Sequence, residues 1–107
     1  MAAQMSFNEF EHSLARSAHP PTSLNAPLRA LWLDAKGDWH GAHALAQVEE
    51  GDDRAGAWVH AYLHRKEGDE ANAAYWYARS GRPVATGDLG LEWREMVKEL
   101  LRSVVAD

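Results

Sequence analysis

The sequence predicts an all-α domain, and three observations carry that prediction. The 107 residues include nineteen alanines, no isoleucine, six valines and two threonines. Alanine is the strongest helix former, and β-branched residues are the usual material of strands. Helix punctuation recurs along the chain, with Ser, Asp or Pro where helices would start and Gly where they would stop. No stretch alternates apolar and polar residues far enough to read as a strand.

Each element follows in order. Ser6 and Glu9 have the spacing of a capping box, and Phe7, Phe10 and Leu14 mark the stripe of a first helix that Pro20 and Pro21 end. Pro27 fits the opening turn of a second helix, with Leu28, Leu31, Trp32 and Ala35 as its stripe and Gly37 as its stop. Asp38 is the N-cap of a third helix carrying Trp39, Ala42, Leu45 and Ala46, closed by Gly51. Asp52 and Asp53 cap a fourth, which runs to Lys66 or Glu67 before Gly68. Asp69 starts a fifth that reaches Gly81. Arg82, Pro83, Gly87 and Gly90 read as the one longer loop. Trp93, Val97, Leu100, Leu101 and Val104 then share one face of a last helix. Of the five tryptophans, Trp32, Trp39, Trp76 and Trp93 fall on stripes that pack between helices, while Trp58 falls on either a core or a binding face.

Composition excludes several classes. With 46% hydrophobic and 25% charged residues, positions 1–107 read as a single globular domain. The absence of cysteine removes disulfide frameworks and Cys-based zinc knuckles. A net charge of −5 and a pI near 5.6 argue against general nucleic-acid binding, which needs clustered Lys and Arg. No window approaches 18 apolar residues, which argues against a membrane partner. The opening Met-Ala-Ala-Gln-Met has no secretory-signal pattern, so a cytoplasmic location is expected.

The Gly-Asp junctions at 37–38 and 68–69 lie 31 residues apart, and that shift aligns Ala30 with Ala61, Ala42 with Ala73 and Leu45 with Trp76. One helix hairpin per period predicts a short α-solenoid, with the segments 6–19 and 89–106 as flanking capping helices. A four-helix-bundle-like arrangement is the alternative architecture.

Residues 26–83 resemble two hairpins of the tetratricopeptide family and its Sel-type relatives. Ala61 matches the small position where the two helices cross, Gly68-Asp69 the inter-helix turn, and Ala73, Tyr77 and Ser80 the small–aromatic–small series of the second helix. The run from Asn72 to Gly81 is especially similar to the Sel-type second helix. The stretch from His60 to Asp69, with Asn72-Ala73 and Tyr75-Trp76-Tyr77, is also similar to small uncharacterised bacterial proteins. The resemblance implies a non-catalytic module without a cofactor that binds a protein, a peptide or a second copy of itself. Carried over residue by residue, it places the binding groove on Trp58, Tyr62, Arg65 and Lys66, with Leu31 and Asp34 from the first hairpin.

The fourth helix also carries the chain's densest chemistry. Apolar residues cover most of its circumference and leave a narrow polar stripe of His60, His64 and Glu67 at i, i+4 and i+7. Two imidazoles one turn apart with a following carboxylate can hold a divalent metal, with His43 or Asp69 as a further ligand. This supports an alternative function as a metal-binding protein or metal-dependent enzyme. The competing reading makes these histidines part of a packed wall, hydrogen-bonded to Glu67 or to backbone. A structural homodimer is a third reading. On the fifth helix, Asn72 and Arg79 serve either to bind a ligand or to anchor a loop. His40 and Gln47 read as a solvated face. The acidic run Glu49-Glu50 and Asp52-Asp53 reads as capping and lacks calcium-loop spacing. No phosphate loop or nucleophile elbow is present, so no motif points to catalysis.

Overall fold

Helix ends follow local hydrogen-bond chemistry. A computed structural model describes residues 5–47 and 54–103, and among them it has six helices and no strand: α1 (Phe7–Arg16), α2 (Ala26–Ala35), α3 (Trp39–Ala46), α4 (Arg54–Lys66), α5 (Glu70–Ser80) and α6 (Leu89–Ser103). At α1 the capping box is complete: the Ser6 hydroxyl accepts from the Glu9 N–H at 3.1 Å, and Glu9 accepts from the Ser6 N–H at 2.8 Å. Asn25 caps α2 ahead of Pro27, Asp38 caps α3 and Asp69 caps α5, each accepting an N–H three residues on.

The two inter-helix turns are copies of one another. Gly37 and Gly68 take positive φ values of 89° and 90°, a region that costs glycine nothing. The following Asp38 and Asp69 N–H groups each donate back to a carbonyl five residues earlier, those of Leu33 and His64, both at 2.9 Å. This left-handed C-cap satisfies carbonyls that the helix end would otherwise orphan. The 31-residue spacing in the sequence therefore corresponds to a repeated turn.

One boundary differs from the sequence reading, and others lie outside the described residues. α1 ends at Arg16, well before Pro20, because Ser17 is already extended. Its end is held by Lys36, whose ammonium donates to the carbonyls of Leu14 and Ser17 at 2.8 and 3.3 Å. The predicted stop at Gly51, the caps Asp52 and Asp53, the acidic run with Glu49 and Glu50, and Val104 lie outside the described residues.

Packing centres on α4, whose residues from Gly56 to His64 are all buried. It packs against α5 as its hairpin partner, and also against α2, α3 and α6. α2 and α3 form the other hairpin. Alanines at the crossings, among them Ala30, Ala42, Ala61 and Ala73, are buried and let the backbones approach. Large side chains fill the remainder: Trp32, Tyr77, Phe10, Leu28, Leu31 and Leu63 are the bulkiest fully buried groups. Tryptophan N–H groups tie the layers together. Trp32 donates to the Ser13 hydroxyl at 2.9 Å, Trp39 to the Leu63 carbonyl at 2.9 Å and Trp93 to the Leu31 carbonyl at 3.0 Å. A radius of gyration of 13.0 Å matches the expectation for one domain of this length.

The two flanking helices pack on the hairpins and on each other. α6 lies across α2 and α4 and buries Met96, Val97, Leu100 and Leu101, while α1 packs on α6. An amphipathic helix needs apolar cover, and the shared face of α2 and α4 supplies it. No helix among the described residues is long and apolar enough to cross a membrane.

Candidate metal centre

Three imidazoles meet where α3 crosses α4. His60 and His64 lie one turn apart on α4, and His43 reaches them from the other hairpin. One ligand nitrogen from each can be chosen so that all three lie within 4.8 Å of one another. The Nε2 atoms of His43 and His60 are 2.9 Å apart, so one ring donates and the other accepts. A tetrahedral ion with metal–nitrogen distances near 2.0 Å needs its ligand nitrogens about 3.3 Å apart. The pair would therefore open by about 0.4 Å around such an ion, and the shared proton would leave Nε2.

The orientation of each ring has a stated cause. His64 Nδ1 faces Glu67 Oε1 at 2.5 Å, which leaves Nε2 as the nitrogen that Glu67 does not engage. A carboxylate behind a ligating imidazole fixes its tautomer and raises its basicity. Indole rings brace the other two. Trp39 stacks on His43 with centroids 4.9 Å apart and planes 10° apart, and Trp76 stacks on His60 at 4.0 Å and 11°. His60 and His64 are buried, at 4% and 7% exposure, and His43 is half-buried. Burial first, then the neighbouring His43 and His64, pushes His60 down to about 4 from its ordinary value. His43 is lowered as well, by burial and by His64 and His40 against an opposing pull from Glu67. Both rings therefore favour the neutral form, the form that ligates a metal.

Asp69 does not join this set. His64, Glu67 and Asp69 also approach within 4.8 Å, but Glu67 is engaged by His64 and the Asp69 carboxylate caps α5 through the Asn72 N–H and amide. Asn72 is thus held at the helix start. Arg79 reaches Tyr75, donating to its hydroxyl at 3.2 Å, and lies over the Trp76 ring at 5.3 Å. His40 and Gln47 are exposed, as expected.

Of the residues expected to form a groove, Trp58 and Tyr62 are buried, Arg65 is half-buried and Lys66 is exposed. Trp58 and Tyr62 are 8% and 3% exposed. The guanidinium of Arg82 covers the Trp58 ring at 3.5 Å, and the Tyr62 hydroxyl donates to Asp34 at 3.0 Å. Lys66 donates to the other Asp34 oxygen at 3.0 Å, and Leu31 is fully buried. Arg65 pairs with Glu92 of α6 at 2.7 Å and also donates to the Gly87 carbonyl, while the Tyr77 hydroxyl donates to the second Glu92 oxygen. The physical reason is α6: its apolar stripe takes the face, and Glu92 satisfies the polar groups that α4 and α5 present there.

Trp39 and Trp76 are the members of the centre that sequence reasoning missed. Helical spacing marks both as packing residues, and nothing local distinguishes packing on an imidazole from packing on an aliphatic neighbour. No family model, curated protein or solved structure matches the chain.

Proposed function

We propose that the chain is a small helical scaffold that binds one late first-row divalent ion through His43, His60 and His64. The observation that carries this reading is the convergence of three imidazoles from two hairpins, with the Glu67 carboxylate behind one of them. Imidazole ligands suit Zn²⁺, Cu²⁺, Ni²⁺ and Co²⁺, and discriminate against Mg²⁺ and Ca²⁺, which prefer oxygen. The similar turns at Gly37 and Gly68 support a tetratricopeptide-like origin for the scaffold itself. Peptide capture on the α2–α4 face is the less favoured reading, since it requires α6 to leave.

The test is metal analysis of chelator-stripped protein titrated with Zn²⁺, followed by calorimetry. Stoichiometric uptake is expected, together with its loss in His43→Gln and His64→Gln. Far-ultraviolet circular dichroism would establish that both variants keep their helices. Substoichiometric uptake, or affinity unchanged in helical variants, would overturn the reading.

A further inference from the structure

We infer that an ion held by His43, His60 and His64 keeps an exchangeable coordination position that takes a small anion; this rests on the metal reading above. The first support is the ligand count. Among the described residues, the group that converges with His43 and His60 contains one further member, His64. Glu67 is already engaged at His64 Nδ1, the arrangement of a carboxylate that supports a ligating imidazole instead of completing the shell. Zinc sites closed for structural purposes use four protein ligands, whereas three protein ligands leave the fourth place to water or another small molecule.

Charge gives the second support. Three neutral imidazoles cancel none of the ion's double positive charge, unlike thiolates or carboxylates. The centre would retain that charge in a partly dry setting, where electrostatic attraction is stronger than in water. An anion at the open position lowers the cost. Access is the third support. His60 and His64 are buried, but His43 is only half-buried, so the cluster borders solvent on its α3 side. Trp39 and Trp76 lie flat against the faces of His43 and His60, and a stacked ring occupies the face of an imidazole, not the in-plane position at its nitrogen.

Cobalt substitution with sodium azide as the probe tests this on the full chain. Co²⁺ reports both occupancy and coordination through its visible ligand-field bands. The expected result is stoichiometric Co²⁺ uptake with an intense four-coordinate spectrum, followed by a saturable band shift as azide is added. The same shift should be absent when azide is added to free Co²⁺ at equal concentration. Co²⁺ bound stoichiometrically, with bands that azide leaves unmoved, would mean a shell closed by a fourth protein ligand. That outcome overturns the open position and leaves metal binding standing. Failure to take up Co²⁺ or Zn²⁺ at all would overturn both.

Discussion

His43 and His60 face each other across two hairpins, their Nε2 atoms 2.9 Å apart. In the metal-free protein this contact is a hydrogen bond between neutral rings. An ion held as proposed would replace it with two coordination bonds. The contact would then join α3 to α4 in either state, and metal affinity and fold stability would be the same measurement seen from two sides.

Zinc should stabilise the protein by mass action. At a free concentration about a hundred times Kd, the gain is about 2.7 kcal/mol, corresponding to a rise in Tm of about 10–20 °C for a domain of this size. Thermal unfolding with Zn²⁺ and with a chelator measures it. The same scans on His43→Gln should coincide; a metal-dependent shift surviving in that variant would place the ion elsewhere.

Glu67 should act through His64. Glu67→Gln is expected to weaken Zn²⁺ binding 10–100-fold while leaving its stoichiometry unchanged, the usual effect of removing a carboxylate behind a ligating imidazole. Calorimetric titration of both proteins decides the point. An unchanged Kd would show that the Glu67 contact is only a helix-end ion pair.

Lys66 should matter more than its 41% side-chain exposure suggests. Its partner Asp34 has a side chain only 2% exposed and is shared with the Tyr62 hydroxyl. Lys66→Met leaves that carboxylate buried with one donor fewer, at a cost of about 1–3 kcal/mol. Urea unfolding of the variant checks this, and a cost below 0.5 kcal/mol, ordinary for surface substitutions, would contradict it.

Alkaline pH should expose the α6 interface. Burial, and then Asp34 for Tyr62 and Glu92 for Tyr77, raises both phenols well above their ordinary value of 10.0. In the unfolded chain these groups lose their protons near pH 10, whereas in the folded protein they keep them. Their contribution is therefore complete below pH 10 and is lost as pH rises beyond it. Ultraviolet titration of phenolate should show two of the three tyrosines ionising only with unfolding, and Tyr62→Phe should leave one such group. Reversible ionisation of all three near pH 10 with helicity retained would refute the burial of these hydroxyls.

Local features were legible in the sequence because their causes lie within a few residues. Ser6 with Glu9, Asp38, Asp69, Gly37 and Gly68 behave as expected because a cap needs only a side-chain oxygen or a glycine at one place. The pairing of His60 with His64 was equally readable, since one helical turn sets it. His43 could be named as a further ligand from its place on α3, but no spacing rule brings it within 2.9 Å of His60. The groove residues are a related case. Trp58, Tyr62, Arg65 and Lys66 do share one side of α4, and the resemblance to helical repeats says nothing about what else in the chain covers that side.

By itself, the sequence determined an all-helical chain, most of its helix ends and the recurrence of one turn. Those outcomes depend on backbone hydrogen bonds closed over three to five residues, and few alternatives compete with them. Only the tertiary structure decided that α6 lies over α2 and α4, and that His43, Trp39 and Trp76 gather around the histidines of α4. An amphipathic helix carries an apolar stripe without an address. Which of several apolar faces it covers, and which side chains then meet, follows from the competition among all of them for burial.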